Sequence, residues 1–272
     1  MPDFLPPAPL FTKSIDAVQL LEFSEFIGEL CTISGAIIRS HYLSGVAVES
    51  KSDQSPVTAA DRDTEQALRT AIMARYPQHG IIGEEHGAHQ QDADYCWVLD
   101  PIDGTKAFVS NCYIFGTLIS LMHQGRPIIG ALHSPLMEHL LIGTTNGTTL
   151  NGKPVGMRAC AKIGDAMLLA TDHWDIFTHH NGPAFETLSR DARLYRGWGD
   201  CHGYFQLATG GADIMLDPVL KIWDIMAIVP IIEGAGGRIT DWQGNSPLGA
   251  SAIVATAGGV HDAVIRALNP ST

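Results

Sequence analysis

The sequence predicts a mixed α/β (α+β) protein, and three features of its pattern lead to this fold class. From Ser14 to about Ser40, apolar residues recur at the spacing of a long amphipathic helix. Between Phe115 and Leu150, short apolar runs are separated by glycine-marked turns, which is typical of consecutive antiparallel strands. Beyond about residue 160, short strands are separated by helical stretches, which is typical of α/β architecture.

The first part of the chain contains a second predicted helix and further predicted strands. A loop with a short strand or hairpin around it is expected at "SKSDQSP". The helix covers about residues 59–76 and ends where Pro77 and Gly80 follow. A short buried strand and a loop are predicted at "GIIGEEHG", and Pro101 stops the strand "YCWVLD". The antiparallel run comprises "FGTLISLM", "PIIGALHS", "HLLIGTT" and "GTTLNG".

The second part contains five predicted strands, at "AMLLAT", "ARLYRG", "ADIMLD", "GGRIT" and "SAIVAT". Pro230 lies inside one of its helical stretches, and a proline forced into a regular helix interior costs about 3 kcal/mol, so a kink or break is expected there. The change of pattern predicts two parts, residues 1–155 and residues 156–272. The predicted helices lie near residues 182–190, 199–209, 222–233 and 259–268.

Composition bounds the possible functions of the 272-residue chain. The formal net charge of −12 argues against nucleic acid as a partner, because phosphate backbones need basic surfaces. A small phosphate ester stays possible, because bound metal ions reverse the sign of a site. Five cysteines without a C-x-x-C pair predict free thiols in a reducing compartment. With no signal peptide and no run of ~18 apolar residues, a soluble cytoplasmic protein without membrane contact is expected.

The stretch "WVLDPIDGTKAF" places Asp100 and Asp103 on either side of a turn. Pro101 disfavours helix at Asp100, and Gly104 frees the backbone after the pair. A strand ending at Asp100 and a helix starting between Asp103 and Lys106 would bring both carboxylates together, and such carboxylates repel unless a cation lies between them. Hard oxygen ligands suit Mg²⁺, and helix-start N–H groups suit phosphate. The alternative is a helix cap at Asp103 and a solvated strand end at Asp100.

Other acidic residues also allow a simpler explanation when each is taken alone. Glu84 and Glu85 follow an apolar strand, where a polar loop is as good an interpretation as a functional one. Asp61 stands three residues after Thr58, which is the spacing of a helix capping box. Asp224 stands at the head of an apolar helix, where the helix dipole favours an acid. The order of these motifs along the chain is more informative than any one of them.

That order is T-A-A-D, G-E-E, D-P-I-D-G-T, and then W-D followed by E-G-A-G-G. Together the motifs resemble the inositol monophosphatase superfamily over roughly residues 45–245. The resemblance implies a layered αβαβα sandwich, usually assembled as a homodimer. It also implies a lithium-sensitive phosphomonoesterase that uses two or three Mg²⁺ ions and a metal-activated water, without a protein nucleophile.

The resemblance further implies a role for individual residues. Glu84, Asp100 and the carbonyl of Ile102 would hold one metal, and Asp100, Asp103 and Asp224 would hold a second. Glu84 would also take part in a weaker third site. Glu84 and Thr105 would activate the attacking water, and Asp61 would orient Thr105. Gly104 and Thr105 would bind the phosphate. Lys51 would lie in the mobile catalytic loop, and Asp217 would contact the organic part of the substrate.

Within the superfamily, "GWGDCHGY" and "WDIMAIVPIIEGAGG" look most like the histidinol-phosphate phosphatase branch. Asp200 stands where inositol phosphatases carry a small residue, and an acid there could pair with the ammonium or imidazole of histidinol. Asp217 would be a second acid for the same cation. Trp198 and the tripeptide "HSP" differ from the residues expected at these positions in that branch. Hydrolysis of L-histidinol phosphate is therefore expected, with inositol 1-phosphate or another small ester as the alternative.

The motifs of other phosphatase classes and of P-loop kinases are incomplete or absent in this sequence. "GDCHG" resembles the first motif of dinuclear metallophosphatases, but the later motifs of that family do not occur. The C-x₅-R phosphatase loop and the G-x-x-x-x-G-K-[ST] loop are absent from the sequence. A non-catalytic member that binds a phosphorylated ligand is the remaining alternative, and it would be expected to lose carboxylates that this chain retains.

Overall fold

The computed structural model describes residues 16–44, 49–50 and 56–270. Lys51, predicted to lie in a catalytic loop, is outside the described residues. The helices of the described part are α1 Ala17–His41, α2 Ala59–Arg75, α3 Thr105–Val109, α4 His173–His179, α5 Gly182–Asp191, α6 Asp200–Ala208, α7 Ile222–Gly234 and α8 His261–Leu268. The strands are β1 Glu49–Ser50, β2 Pro56–Val57, β3 Gly80–Gly83, β4 Gly87–His89, β5 Tyr95–Asp103, β6 Gly116–His123, β7 Arg126–Ser134, β8 His139–Thr144, β9 Gly147–Leu150, β10 Lys153–Val155, β11 Met167–Ala170, β12 Leu194–Arg196, β13 Ile214–Asp217, β14 Gly237–Asp241 and β15 Ile253–Ala257.

The strands form two main sheets and one short hairpin. The larger sheet has the order β10-β9-β8-β7-β6-β5-β3-β4, and all neighbours are antiparallel except β3 and β5. The smaller sheet has the order β12-β11-β13-β15-β14, with β11 parallel to both of its neighbours. Strands β1 and β2 pair as the hairpin. The predicted antiparallel run and the predicted hairpin are both confirmed.

Alternating side chains divide the core into layers. In β5, Trp97 and Leu99 face α1 and α2, whereas Val98 faces α6 and α7. The helices α6 and α7 also bury one face of the smaller sheet, and α4, α5 and α8 cover its other face. The order is helices, sheet, helices, sheet, helices, so the predicted αβαβα sandwich is confirmed. The division at residue 155 stays a prediction, although the chain does change sheets between Val155 and Met167.

Helix α7 continues through Pro230, so the predicted alternative of a break is wrong. Proline has no N–H to give to the carbonyl four residues earlier, which belongs to Met226. The hydroxyl of Ser120 on β6 lies 3.1 Å from that carbonyl oxygen and 3.0 Å from the carbonyl oxygen of Ile129, so its single proton is shared and partly replaces the lost bond. Gly130 and Gly143 let the helix backbone pack directly on β7 and β8, because a Cβ at either glycine would overlap the helix.

The other predicted helices occur within one to three residues of their expected bounds. The sequence did not predict α4, a seven-residue helix capped by the side chain of Asp172. Strand β5 also continues to Asp103 instead of ending at Asp100. Within the described part of the chain, no helix is both long enough and apolar enough to cross a lipid bilayer.

Candidate active site

Three aspartates from two distant segments converge at the end of β5 and the start of α7. One carboxylate oxygen from each of Asp100, Asp103 and Asp224 lies within 4.8 Å of the other two. Asp100 pairs with Leu118 across β6 and Asp103 pairs with Gly116, so the register shifts between the two aspartates. This bulge turns two carboxylates that are three residues apart toward one volume, as the sequence predicted, since a regular strand would place them on opposite faces.

Gly104 supports the turn that follows the cluster. Its φ of 84° lies in the left-handed region, which glycine adopts without the strain that a side chain adds. A Cβ at this position would lie 3.2 Å from the carbonyl oxygen of Ile114 and 3.4 Å from Oδ2 of Asp200. The turn therefore brings the start of α3 against Asp200, which lies at the start of α6.

Asp224 stands at the start of α7 and also faces the other two aspartates, while its role as a metal ligand stays a prediction. Its Oδ2 accepts a hydrogen bond from the backbone N–H of Lys221 at 2.7 Å, which satisfies an otherwise free donor at the start of α7. The same carboxylate also offers an oxygen to the cluster with Asp100 and Asp103. The capping bond therefore fixes the direction in which this carboxylate meets the other two.

Acidic groups dominate the surroundings of the three aspartates among the described residues, although the positive charge of Lys221 lowers the pKa of Asp224. Burial raises the pKa of Asp100 well above its usual value, and the charges of Glu84, Asp103 and Asp224 raise it further. Burial also raises the pKa of Asp103 strongly, with added repulsion from Asp200 and Asp224. For Asp224, burial raises the pKa to about 6. This is the electrostatic signature of a site that is completed by a cation.

The donor set fits Mg²⁺. Oδ1 of Asp100 is buried and has no hydrogen-bond partner among the described residues. A buried carboxylate oxygen without a partner is costly, and several hard oxygen atoms at short range are the ligands that Mg²⁺ prefers. Asp100, Asp103 and Asp224 could therefore hold at least one such ion.

Glu84 directly follows β3, and the negative charge of its carboxylate contributes to the raised pKa of Asp100. Its backbone N–H donates to the carbonyl of Leu99 at 3.2 Å, which ties the end of β3 to the residue before Asp100. The parallel pairing of β3 with β5 thus brings Glu84 and Asp100 to the same edge of the sheet.

Ile102 and Thr105 are joined by a hydrogen bond across the turn. The hydroxyl of Thr105 donates to the carbonyl oxygen of Ile102 at 3.0 Å. Asp61 is buried, and its Oδ2 accepts from the backbone N–H of Thr58 at 2.8 Å and from the Thr58 hydroxyl at 2.7 Å. The capping box predicted for Asp61 is therefore present, and its orientation of Thr105 stays a prediction. Helix α3 lies against β2, the strand that leads into this cap.

Asp200 and Asp217 lie next to the cluster on the side of the smaller sheet. Burial raises the pKa of Asp200 to about 6, while the positive charge of Lys106 acts in the opposite direction. Asp200 has a φ of 49°, a left-handed conformation that is uncommon for a residue with a side chain. Burial and the charge of Asp200 raise the pKa of Asp217. The hydroxyl of Tyr204 donates to Oδ2 of Asp217 at 3.4 Å.

Two residues of this region were missed by sequence reasoning. Thr171 accepts a hydrogen bond from the backbone N–H of Asp200 at 3.1 Å, and its hydroxyl also lowers the pKa of Asp217 against the effect of burial. Asp172 forms an ion pair with Lys106 at 3.8 Å. Both residues directly follow β11, and polar residues at the carboxyl end of a parallel strand were the available signal.

Comparison with known proteins agrees with this geometry. The model of the inositol monophosphatase family matches residues 19–272. The bifunctional phosphatase IMPL2 (chloroplastic) of Arabidopsis thaliana is 39% identical, with 90% of this chain and 72% of that protein covered. A histidinol-phosphatase of Chlorobaculum parvum is 34% identical over 74% of this chain and 78% of its own.

Solved structures lead to the same family. An inositol monophosphatase from Zymomonas mobilis superimposes with a TM-score of 0.83 at 32% identity, covering 93% of this chain and 99% of that chain. Family match, relatives and fold therefore agree with the acidic cluster that the folded chain assembles. This protein belongs to the inositol monophosphatase family and is a phosphoric monoester hydrolase.

Proposed function

We propose that this protein is a Mg²⁺-dependent phosphatase that hydrolyses L-histidinol phosphate to L-histidinol and phosphate, a step in histidine biosynthesis. The observation that carries the choice of substrate is the carboxylate of Asp200. It lies next to Gly104, at the turn where the phosphate would bind, and is therefore within reach of the organic part of a small ester.

The residues of the cluster would divide the work. Glu84, Asp100, the carbonyl of Ile102, Asp103 and Asp224 would hold two Mg²⁺ ions, and Glu84 would contribute to a weaker third. When bound, Mg²⁺ supplies charge neutralisation at the phosphoryl oxygens and lowers the pKa of a bound water.

Water addition breaks the P–O ester bond, and the alcohol leaves with a proton. Glu84 and the Thr105 hydroxyl would orient the attacking water, with Asp61 placing Thr105 from behind. The N–H groups of Gly104 and Thr105 would hold the phosphate. Lys51 belongs to the same proposal as a residue of the catalytic loop.

The charge around Asp200 favours a cationic alcohol over a neutral one. Asp217 is buried and Asp200 is partly buried near the cluster, and the charge of Asp200 raises the cost of the charge on Asp217. A substrate ammonium or imidazolium would relieve this repulsion, whereas inositol has no cationic group. The similarity to a histidinol-phosphatase supports this choice, and the similarity to an inositol monophosphatase keeps inositol 1-phosphate as the second candidate.

The test of the substrate compares phosphate release from histidinol phosphate and inositol 1-phosphate at equal Mg²⁺. We expect kcat/KM to be at least about tenfold higher for histidinol phosphate, since one ion pair at a buried acid contributes on the order of 1.4 kcal/mol or more. Faster turnover of the inositol ester would reverse the assignment.

Asp200→Ala separates the roles of this acid. The variant should lose most of its activity on histidinol phosphate and retain most of its activity on a neutral ester such as inositol 1-phosphate. Equal losses on both esters would show that Asp200 serves the common chemistry instead of substrate choice. A homodimer and inhibition by lithium are further proposals, to be measured by light scattering and by titration of Li⁺ into the assay.

A further inference from the structure

Glu65 is a fully buried acid on α2 that belongs to none of the roles described so far. Its Oε2 accepts a hydrogen bond from the backbone N–H of Glu85 at 2.6 Å. Its Oε1 accepts from the backbone N–H of His86 at 3.1 Å and from Nε of Arg69 at 2.7 Å. Three donors from two segments thus converge on one carboxylate, which is ample compensation for burying its charge.

The same pair closes the rest of the turn after β3. Arg69 lies one helical turn after Glu65, is itself nearly buried, and donates from Nη2 to the carbonyl of Gly87. A Cβ at Gly83 would overlap Oε1 of Glu65, so the carboxylate occupies the space of a side chain there. The backbone from Gly83 to Gly87 is therefore held by one Glu–Arg pair.

Glu84 lies in the middle of that segment. The two N–H groups that follow Glu84 in the chain donate to the Glu65 carboxylate. The N–H of Glu84 donates to the carbonyl of Leu99, the neighbour of Asp100. The backbone on both sides of Glu84 is fixed relative to β5. Because Arg69 neutralises Glu65, the anchor adds no net charge beside an already acidic cluster.

From this geometry we propose that Glu65 and Arg69 are positioning residues that fix the backbone of Glu84, and so set the affinity of the site for Mg²⁺. The proposal rests on the proposed function in one respect, namely that Glu84 is a metal ligand. Groups that orient a ligand typically change metal affinity or activity by about 10–100-fold when they are removed.

The variant to test is Glu65→Gln. An amide keeps the shape, but its NH₂ group cannot accept the N–H bonds that the carboxylate accepts. The matched control is Glu186→Gln on α5, because Glu186 also pairs with an arginine four residues later, Arg190, at 2.6 Å. That pair is exposed and lies on another layer of the molecule.

Two measurements are made on each protein. Hydrogen exchange by mass spectrometry follows the amides of residues 84–89, and calorimetric titration gives the Kd for Mg²⁺ of the folded protein. In Glu65→Gln we expect much faster exchange in this peptide and a Kd raised about 10–100-fold. Saturating Mg²⁺ should restore much of kcat. Glu186→Gln should match the wild type in both measurements.

A merely structural role gives a different result. It predicts a lower melting temperature for Glu65→Gln with the Kd for Mg²⁺ unchanged, and that outcome overturns the proposal. If Glu65→Gln does not fold, Arg69→Lys replaces it, since lysine keeps the charge but cannot bridge Glu65 and Gly87 as a planar guanidinium does. Arg69→Lys should raise the Kd for Mg²⁺ above that of the wild type and of Glu186→Gln, and an unchanged Kd contradicts the proposal.

Failure of the proposed function gives a separate signature. The wild type would then release no phosphate from either ester, or would bind no Mg²⁺. If the wild type binds Mg²⁺ and hydrolyses an ester while Glu65→Gln behaves like Glu186→Gln, only the positioning role is wrong.

Discussion

Asp100, within β5, and Asp213, which directly precedes β13, are both buried aspartates, yet their pKa values shift in opposite directions. Burial alone raises the pKa of each. At Asp213, hydrogen bonds from Arg158 and from the N–H of Met167 outweigh that effect, and the pKa falls below its usual value. At Asp100 the neighbouring charges are Glu84, Asp103 and Asp224, and the pKa rises.

The difference between them is the source of the positive charge. Near Asp213 the chain supplies its own cation, so the carboxylate serves the fold by joining the start of β13 to the start of β11 and to Arg158 in the segment between β10 and β11. Near Asp100 the chain supplies further acids, so the fold is left with a charge that an outside cation would balance. Burial of a carboxylate does not distinguish a structural from a functional acid, whereas its neighbours do.

Asp103→Asn should give the largest effect. Because this residue would hold a metal, we expect kcat to fall by on the order of 10³-fold, consistent with several kcal/mol of lost charge stabilisation. The melting temperature without metal should be unchanged or higher, since one repelling charge is removed. Activity assays and thermal unfolding of the same sample check this. If Asp103→Asn keeps its activity, the aspartate cluster is not part of the catalytic site.

Asp213→Asn should lower the stability of the fold and leave the activity of the folded protein nearly unchanged. The change leaves Arg158 without its carboxylate, and breaking a buried pair costs about 3–5 kcal/mol, reduced to roughly 2–3 kcal/mol because Arg158 is partly exposed. Urea unfolding should show this loss, while kcat of the folded protein stays near that of the wild type.

The control for Asp213→Asn is Asp262→Asn, which breaks the ion pair with Arg238 at 2.7 Å. The Asp262 side chain is 69% exposed, so we expect a cost of under about 1 kcal/mol. If both variants lose the same free energy of unfolding, burial does not determine how much these ion pairs stabilise the fold.

The pH dependence of Mg²⁺ stabilisation should give the smallest effect. The pKa of Asp224 is about 6 in the folded metal-free protein, against 3.8 as the ordinary value. A raised carboxyl pKa stabilises the metal-free fold at low pH, and this contribution is lost as the pH rises from about 4 through 6. Mg²⁺ replaces the lost protons.

The quantity to measure is therefore the melting temperature with Mg²⁺ minus that without it. This difference should grow by on the order of 5 °C between pH 4.5 and pH 7. Subtraction removes groups that titrate equally with and without Mg²⁺, such as the buried His261, whose pKa is lowered to about 4 by burial. A difference that is constant with pH would contradict the assignment of these acids to the metal site.

Much of the fold was predictable because periodicity is a local property. The helices α1, α2, α5, α6, α7 and α8 and the strand run from β6 to β9 follow from spacing and from glycine and proline positions. The aspartate pair was predictable for the same reason, since proline and glycine stand at the turn. Asp224 could be joined to the pair only through the family resemblance.

The rest depends on contacts between distant segments, which spacing does not encode. At Pro230, the carbonyl of Met226 that loses its helix donor is partly satisfied by the hydroxyl of Ser120, which lies far away in the chain. Glu65 appears in the sequence as an ordinary helix residue, and its partners at Glu85 and His86 are visible only after β3 has paired with β5. Thr171 reaches Asp200 through the parallel pairing of the smaller sheet.

The close packing of α7 on Gly130 and Gly143 has a consequence for the position of Asp224 relative to Asp100 and Asp103. Asp224 opens this helix, and Ile231, which touches Gly143, lies seven residues further on, about 10 Å along the axis. A methyl group added at Gly143 would push α7 away from the sheet and move Asp224 away from Asp100 and Asp103. A substitution that touches none of the three aspartates could thus abolish activity by tilting the helix that carries Asp224.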